Sequence, residues 1–339
     1  MLAPFSGMRH RDDGARRAFR RRLAPLIIGV LAAAALPRTA IAQDGERCGQ
    51  IRQAIESAAE ARNLDELRIQ LDLAKSATAC GPSFAYCLGR RAALAHLDEV
   101  YARVNAGMPE AQAKPLLERA LALGAPWQVA FVAGEAEEAS GAGDRARFER
   151  AAKHYQVALD DLGQEPECAG EKALRPDAEQ AQAIYRRAVI AYLLSPSAVE
   201  PPRNRCGEEA HAWLFVGSVC GFEPTGRPLP LQFVYRETTL TPKGQSTAEL
   251  LLDHLKRTQA PKITLIGHTD AKGSDRYNLR LSAQRLEALA KLLKDGGYQG
   301  EIALEPKGES EPYPLDEPQR YSADEIDEIN RRVEFRLGE

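Results

Sequence analysis

Two patterns of apolar and polar positions divide the chain, and they change over near Gly221. Upstream, apolar residues recur at three- and four-residue spacing in stretches rich in Ala, Leu, Glu and Arg, the signature of amphipathic helices. Residues 115–124, 148–162 and 183–192 are examples, set roughly 35 residues apart. The spacing predicts an all-α N-terminal half. A proline-rich passage, residues 222–230, then separates it from a region where strand and helix patterns alternate. Residues 229–235 read as a strand, and Thr241-Pro242 supplies an N-cap with proline at the first helical position, for a helix running to about Arg257. Residues 263–266 are a β-branched strand. Ser274 caps a helix with Leu279, Leu286, Leu289, Leu292 and Leu293 as core, stopped by Gly296-Gly297. Residues 301–305 form a third strand, Ser322 and Glu325 a capping box for a last short helix, and residues 331–337 an alternating final strand. The order is β-α-β-α-β-α-β, an α+β region.

A length of 339 residues fits this division into two domains, expected at 43–225, linker included, and 226–339. The first 42 residues stand apart. Arg16, Arg17, Arg20, Arg21 and Arg22 precede an apolar stretch at 23–36, shorter than the roughly 20 residues a membrane-spanning helix needs. Ala40-Ile41-Ala42 then offers the small residues a signal peptidase accepts, so 1–42 reads as a cleavable signal peptide. The expected mature chain is periplasmic, with no transmembrane span. Arg16-Arg17-Ala18-Phe19 resembles the twin-arginine export motif, which leaves the export route open. Cys48, Cys80, Cys87, Cys168, Cys206 and Cys220 all follow the cut, and their even number predicts up to three disulfides among fifteen pairings. No C-x-x-C pair points to a metal, and no cofactor is expected. A net charge of -3 offers no basic field for nucleic acid.

Chemistry concentrates between Gly267 and Arg285. On the expected helix Asn278, Leu281 and Arg285 share one face, at i, i+3 and i+7, and Asp270 leaves the end of the preceding strand. From spacing alone two readings stand level. The aspartate and arginine are a surface ion pair contributing about 0 to 1 kcal/mol, or they are held apart to receive a zwitterion, Asp270 accepting from an ammonium and Arg285 pairing with a carboxylate. His268 beside Asp270 invites a hydrolase reading, but no nucleophile or H-E-x-x-H spacing accompanies it, and no catalytic residue is assigned.

Four segments, Ile266-Gly-His-Thr-Asp270, Tyr277-Asn278, Leu281-Ser282-x-x-Arg285 and Asn330-Arg-Arg-Val-Glu334, resemble the OmpA-like peptidoglycan-binding domain over about 110 residues. The resemblance implies a non-catalytic module of the Gram-negative cell envelope, associated with the outer membrane, that holds the diaminopimelate of the peptidoglycan stem peptide. It implies Asp270 for the ammonium and Arg285 for the carboxylate, with Thr269, Asn278 and Leu281 around them and backbone N–H donors from Tyr235 and Arg236. Arg332 is placed on the pocket side or, with Arg331, as a brace of the last strand. The family's alanine after the helix arginine is Leu286 here, a packing difference, and the acidic stretch 309–328 reads as a solvated loop.

The helical half resembles a tetratricopeptide-like array, although that repeat's Trp, Gly and Pro positions are not all filled and an irregular array fits as well. Such arrays present surfaces to other proteins. The expectation is therefore an unidentified protein partner anchored to the wall, with an adaptor whose helices carry the function and whose wall pocket is secondary as the alternative.

Overall fold

The computed structural model describes residues 38–141, 143–163, 168, 175–196, 227–229 and 231–338. Most of the expected signal peptide, as well as Cys206 and Cys220, lies outside them. The periodic stretches fold as α1 (Arg38–Glu60), α2 (Leu64–Ser76), α3 (Phe84–Asn105), α4 (Lys114–Leu121), α5 (Trp127–Ala139), α6 (Ala146–Leu162) and α7 (Ala178–Leu194). Local chemistry sets their starts: the Asn63 side chain accepts from the Glu66 N–H, and Asp177 and Gln180 form a reciprocal capping box. Helix α5 is central, with nearly all its residues buried, and Gly134 lets the Tyr155 ring lie where a Cβ would stand 2.4 Å from it. Disulfides join Cys48 to Cys80 and Cys87 to Cys168.

The C-terminal region runs β1 (Arg227–Leu229), α8 (Pro242–Thr258), β2 (Lys262–His268), α9 (Asp275–Asp295), β3 (Glu301–Gly308), α10 (Ala323–Asn330) and β4 (Val333–Leu337). The sheet order is β1-β4-β2-β3, with β2 parallel to β3 and antiparallel to β4. Caps form at Thr241, Ser274 and the Ser322–Glu325 box. Leu251, Leu255, Ile263, Leu265, Leu286, Leu289, Leu293 and Phe335 fill the core under the sheet.

Three expectations need correction. The single strand at 229–235 is not formed: β1 stops at Leu229, and Pro230, next in sequence, lacks the N–H a ladder needs. After β1 the chain instead makes a small hairpin with a Phe233–Leu240 bridge, closed by the N–H groups of Val234 and Glu237 and turning through Arg236 at φ 61°. Leu279, read as core, is 49% exposed: it lies level with Gly308, the last residue of β3, where the sheet ends.

The acidic stretch is not a solvated loop. Tyr313, Tyr321 and Ile329 belong to the same apolar cluster as Trp127, Phe131, Phe148 and Ile184 of the helical half. Arg145, Arg147, Arg186 and Arg187 meet Glu328, Glu325, Asp316 and Glu317 across the joint. A second contact lies at the C-terminus of α7, where Lys243 of α8 donates to the carbonyls of Tyr192, Leu193 and Ser195. A lysine there meets the orphan carbonyls and the negative end of the helix dipole.

Candidate ligand-binding site

Strand β2 and helix α9 converge at the C-terminal end of the parallel strands, and the turn between them carries Thr269 and Asp270. Gly267 is required where it stands, since a Cβ would lie 2.9 Å from the Leu286 side chain. Thr269 fixes the turn: its N–H donates to Gly308 O at 2.8 Å, and its hydroxyl donates to Asp270 O at 2.9 Å. Asp270 is only 5% exposed. Its Oδ1 accepts from the Lys272 N–H at 3.0 Å, and its Oδ2 accepts from Arg331 Nη1 at 2.7 Å.

The face of α9 toward this turn carries Asn278, Leu281 and Arg285, all buried. Asn278 donates from Nδ2 to Asp270 O at 3.2 Å and to the Glu309 carboxylate. Ser282 ties α9 to the end of β3, accepting from the Gly308 N–H at 3.2 Å. Gly308 adopts φ 56°, and a Cβ there would stand 2.9 Å from Leu279 N, so glycine permits both the left-handed turn and the close approach. Arg285 is 3% exposed, donates to Glu237 O at 3.0 Å and Val234 O at 3.3 Å, and stacks over the Phe233 ring at 5.0 Å. Burial pushes its pKa down to about 10, the Arg331 charge adds to the effect, and Asp270 opposes it. The guanidinium therefore stays charged at neutral pH in a dry setting, where an arriving carboxylate is worth most.

Tyr235 and Arg236 lie on the hairpin above Arg285. Their own N–H groups are not those that close it, and the Arg236 guanidinium stacks over the exposed Tyr235 ring at 5.3 Å. Between the hairpin turn and α9 runs an open groove of about 590 Å³, lined by Arg236, Glu237, Thr238, Leu281, Gln284 and Ala288.

Arg332 does not reach Asp270. It is 3% exposed, donates to Glu334 at 2.7 Å and Glu311 O at 3.3 Å, and lies over the Tyr313 ring. The guanidinium beside Asp270 belongs to Arg331. Adjacent residues entering a strand point to opposite sides, so at most one of the pair can face the site. His268 shares the side of Arg332; burial, reinforced by the Arg332 charge, pushes its pKa down to about 3, so it is neutral at ordinary pH. Sequence reasoning missed Glu309 and Phe233 altogether. Glu309 follows β3 directly, and the parallel pairing of β2 with β3 brings both strand ends together, the signal that points to it.

An acidic acceptor and a buried guanidinium, with amide and backbone donors around them, form a constellation for an ammonium and a carboxylate on one small group. Residues 232–325 match the model of the OmpA family. The peptidoglycan-associated lipoprotein of Legionella pneumophila is 30% identical over 105 residues, covering 30% of this chain and 56% of that protein. Outer membrane protein A of Shimwellia blattae is 37% identical over 84 residues, covering 24% of this chain and 34% of that protein. This chain thus spans about half or less of these relatives. The OmpA-like domain of FopA1 from Francisella tularensis subsp. tularensis SCHU S4 is 24% identical, covers 31% of this chain and 66% of that one, and has a TM-score of 0.27. Among the described residues no helix is long and apolar enough to cross a membrane. The C-terminal part of this chain, at residues 232–325, is therefore an OmpA family domain, and a helical region precedes it.

Proposed function

We propose that the protein binds peptidoglycan in the periplasm without chemical turnover, holding the diaminopimelate of the stem peptide and so anchoring its helical region to the wall. Asp270 takes the ammonium and Arg285 the carboxylate; Thr269 and Asn278 fix the turn, Leu281 walls the pocket, and the N–H groups of Tyr235 and Arg236 add donors. The observation that carries this reading is the burial of two opposite charges at the C-terminal end of the parallel strands, with no hydrogen bond between them and each already oriented by its neighbours. The similarity to the peptidoglycan-associated lipoprotein of Legionella pneumophila supports it. The alternative, an adaptor whose wall pocket is secondary, draws on the Arg331–Asp270 pair, which engages the acceptor from within.

The test is co-sedimentation of the full-length protein with insoluble peptidoglycan. Wild type is expected in the pellet, with Asp270→Ala and Arg285→Ala left in the supernatant. Equal pelleting of all three rejects the site, and release of soluble fragments from the wall rejects binding without turnover.

A further inference from the structure

The segment between β3 and β4 faces two ways. Toward the helical half it contributes Tyr313, Tyr321 and Ile329 to the shared core, and Glu325 and Glu328 accept from Arg147 and Arg145 at 2.8 Å each. Toward the candidate site it supplies Glu309 to Asn278, Asp327 to Lys272 at 2.7 Å, and Arg331 to Asp270 at 2.7 Å. Helix α10 carries both sets of contacts. Glu325, Ile326, Glu328 and Ile329 meet the helical half, whereas Asp324 and Asp327 meet Lys272 of the site turn. Arg331 follows at once, its N–H bonded to Asp327 O and Glu328 O, and the buried Arg332 pins the next residue. The Arg331 backbone thus has little freedom apart from α10. Its side chain is 25% exposed against 6% for Asp270, so the pair sits at the mouth of the site, where an incoming cation arrives.

We propose that Arg331 is an internal cation occupying Asp270 in the absence of ligand, and that the helical half, by clamping α10, sets how firmly it does so. An ammonium reaching Asp270 competes with Arg331, which already engages Oδ2 while the Lys272 N–H engages Oδ1; lone pairs remain on both oxygens, but a second cation beside the guanidinium meets like-charge repulsion. Whatever shifts α6 or α7 against α10 then changes the affinity of the site, and occupation of the site changes the joint by the same factor. The inference rests on the reading of Asp270 as the ammonium acceptor. Glu325 is the natural point of control: burial disfavours its charge, but the Ser322 N–H and Arg147 outweigh that and hold its pKa below the usual carboxylate value.

The experiment is calorimetric titration of the full-length protein with a stem tripeptide ending in diaminopimelate. Arg331→Gln is expected to bind up to about five-fold tighter than wild type, the worth of a partly exposed ion pair. Arg331→Lys keeps the competing charge and stays near wild type. Glu325→Gln, which retains the capping box but loses the Arg147 ion pair, tightens binding in the wild-type background and changes nothing in the Arg331→Gln background. A gain in affinity cannot come from a folding defect. Unchanged or weaker binding by Arg331→Gln, or additive effects of the two substitutions, overturns the proposal. Asp270→Ala separates the two levels: if it binds as wild type does, the site reading falls, and the coupling with it; if it loses binding while Arg331→Gln matches wild type, the coupling alone falls.

Discussion

Arg187 is the most heavily committed side chain of the joint, and Arg187→Met tests how the two parts are held together. Its guanidinium donates to Glu138 at 2.8 Å, to the Tyr321 hydroxyl at 2.8 Å and to Glu317, and lies 3.7 Å from Glu135. Arg187, Glu135 and Glu138 are buried, and Glu317 is half-buried. Methionine keeps the aliphatic length but strands the carboxylates. Removing one partner of a buried ion pair costs about 3 to 5 kcal/mol, and relief by proton uptake points to the lower end. Burial raises the Glu135 carboxyl to about 7 and raises Glu138 as well, with Arg187 and Arg320 opposing in both cases. Loss of Arg187 raises both further, so the deficit is largest when the medium favours ionisation. About 3 kcal/mol is expected at pH 8 and about half of that at pH 5. For a chain of 339 residues that is a fall in melting temperature of about 4 to 5 °C at pH 8. Circular dichroism melts of both proteins at the two pH values supply the assay. A fall below about 2 °C, or an equal fall at both pH values, refutes the argument and places the network among exposed ion pairs.

A glutamate carboxyl that titrates near 7 when folded and near 4.5 when unfolded costs stability as pH rises between those values. Glu135→Gln should therefore gain about 3 kcal/mol over wild type at pH 8 and about 1 kcal/mol at pH 5, read from denaturant midpoints. Gly308→Ala places a Cβ 2.9 Å from Leu279 N and 3.1 Å from the Asn278 carbonyl carbon at a left-handed φ; it should cost at least about 1 kcal/mol in thermal melts and weaken peptidoglycan pelleting together with it. The Cys87–Cys168 bridge closes a loop with a sequence separation of 81, so Cys87→Ala/Cys168→Ala should lose up to about 4 kcal/mol, and wild type under reductant, which opens the Cys48–Cys80 bridge as well, should lose more.

The elements with local causes were legible in the sequence. Thr241-Pro242, Ser274 and the Ser322–Glu325 box act within four residues of where they stand, and each caps a helix as read. The site was legible as far as periodicity reaches, since Asn278, Leu281 and Arg285 share a helix face by spacing alone, and the end of a parallel strand puts Asp270 near them. What was not legible depends on distant partners. A run of acids looks the same whether water or arginine covers it, and the arginines that meet Asp316, Glu317, Glu325 and Glu328 lie 130 to 183 residues away in sequence. Leu279 has the helical phase of a core residue, and only the end of the sheet leaves it uncovered. The choice between Arg331 and Arg332 was within reach, because strand alternation separates them once β4 is placed. The pairing of Cys48 with Cys80 and Cys87 with Cys168 was not, because fifteen pairings satisfy an even count.

The central claim is that Asp270 and Arg285 grip the two charges of one zwitterion. It is tested most directly by equilibrium binding of the full-length protein to two stem tripeptides identical except for diaminopimelate or lysine at the third position. Lysine presents the ammonium but lacks the second carboxylate. Saturable binding of the diaminopimelate peptide is expected, with at least about ten-fold weaker binding of the lysine peptide, the worth of one charge-assisted contact, and the difference abolished in Arg285→Ala. Equal affinity for the two peptides, or discrimination that survives Arg285→Ala, would contradict it.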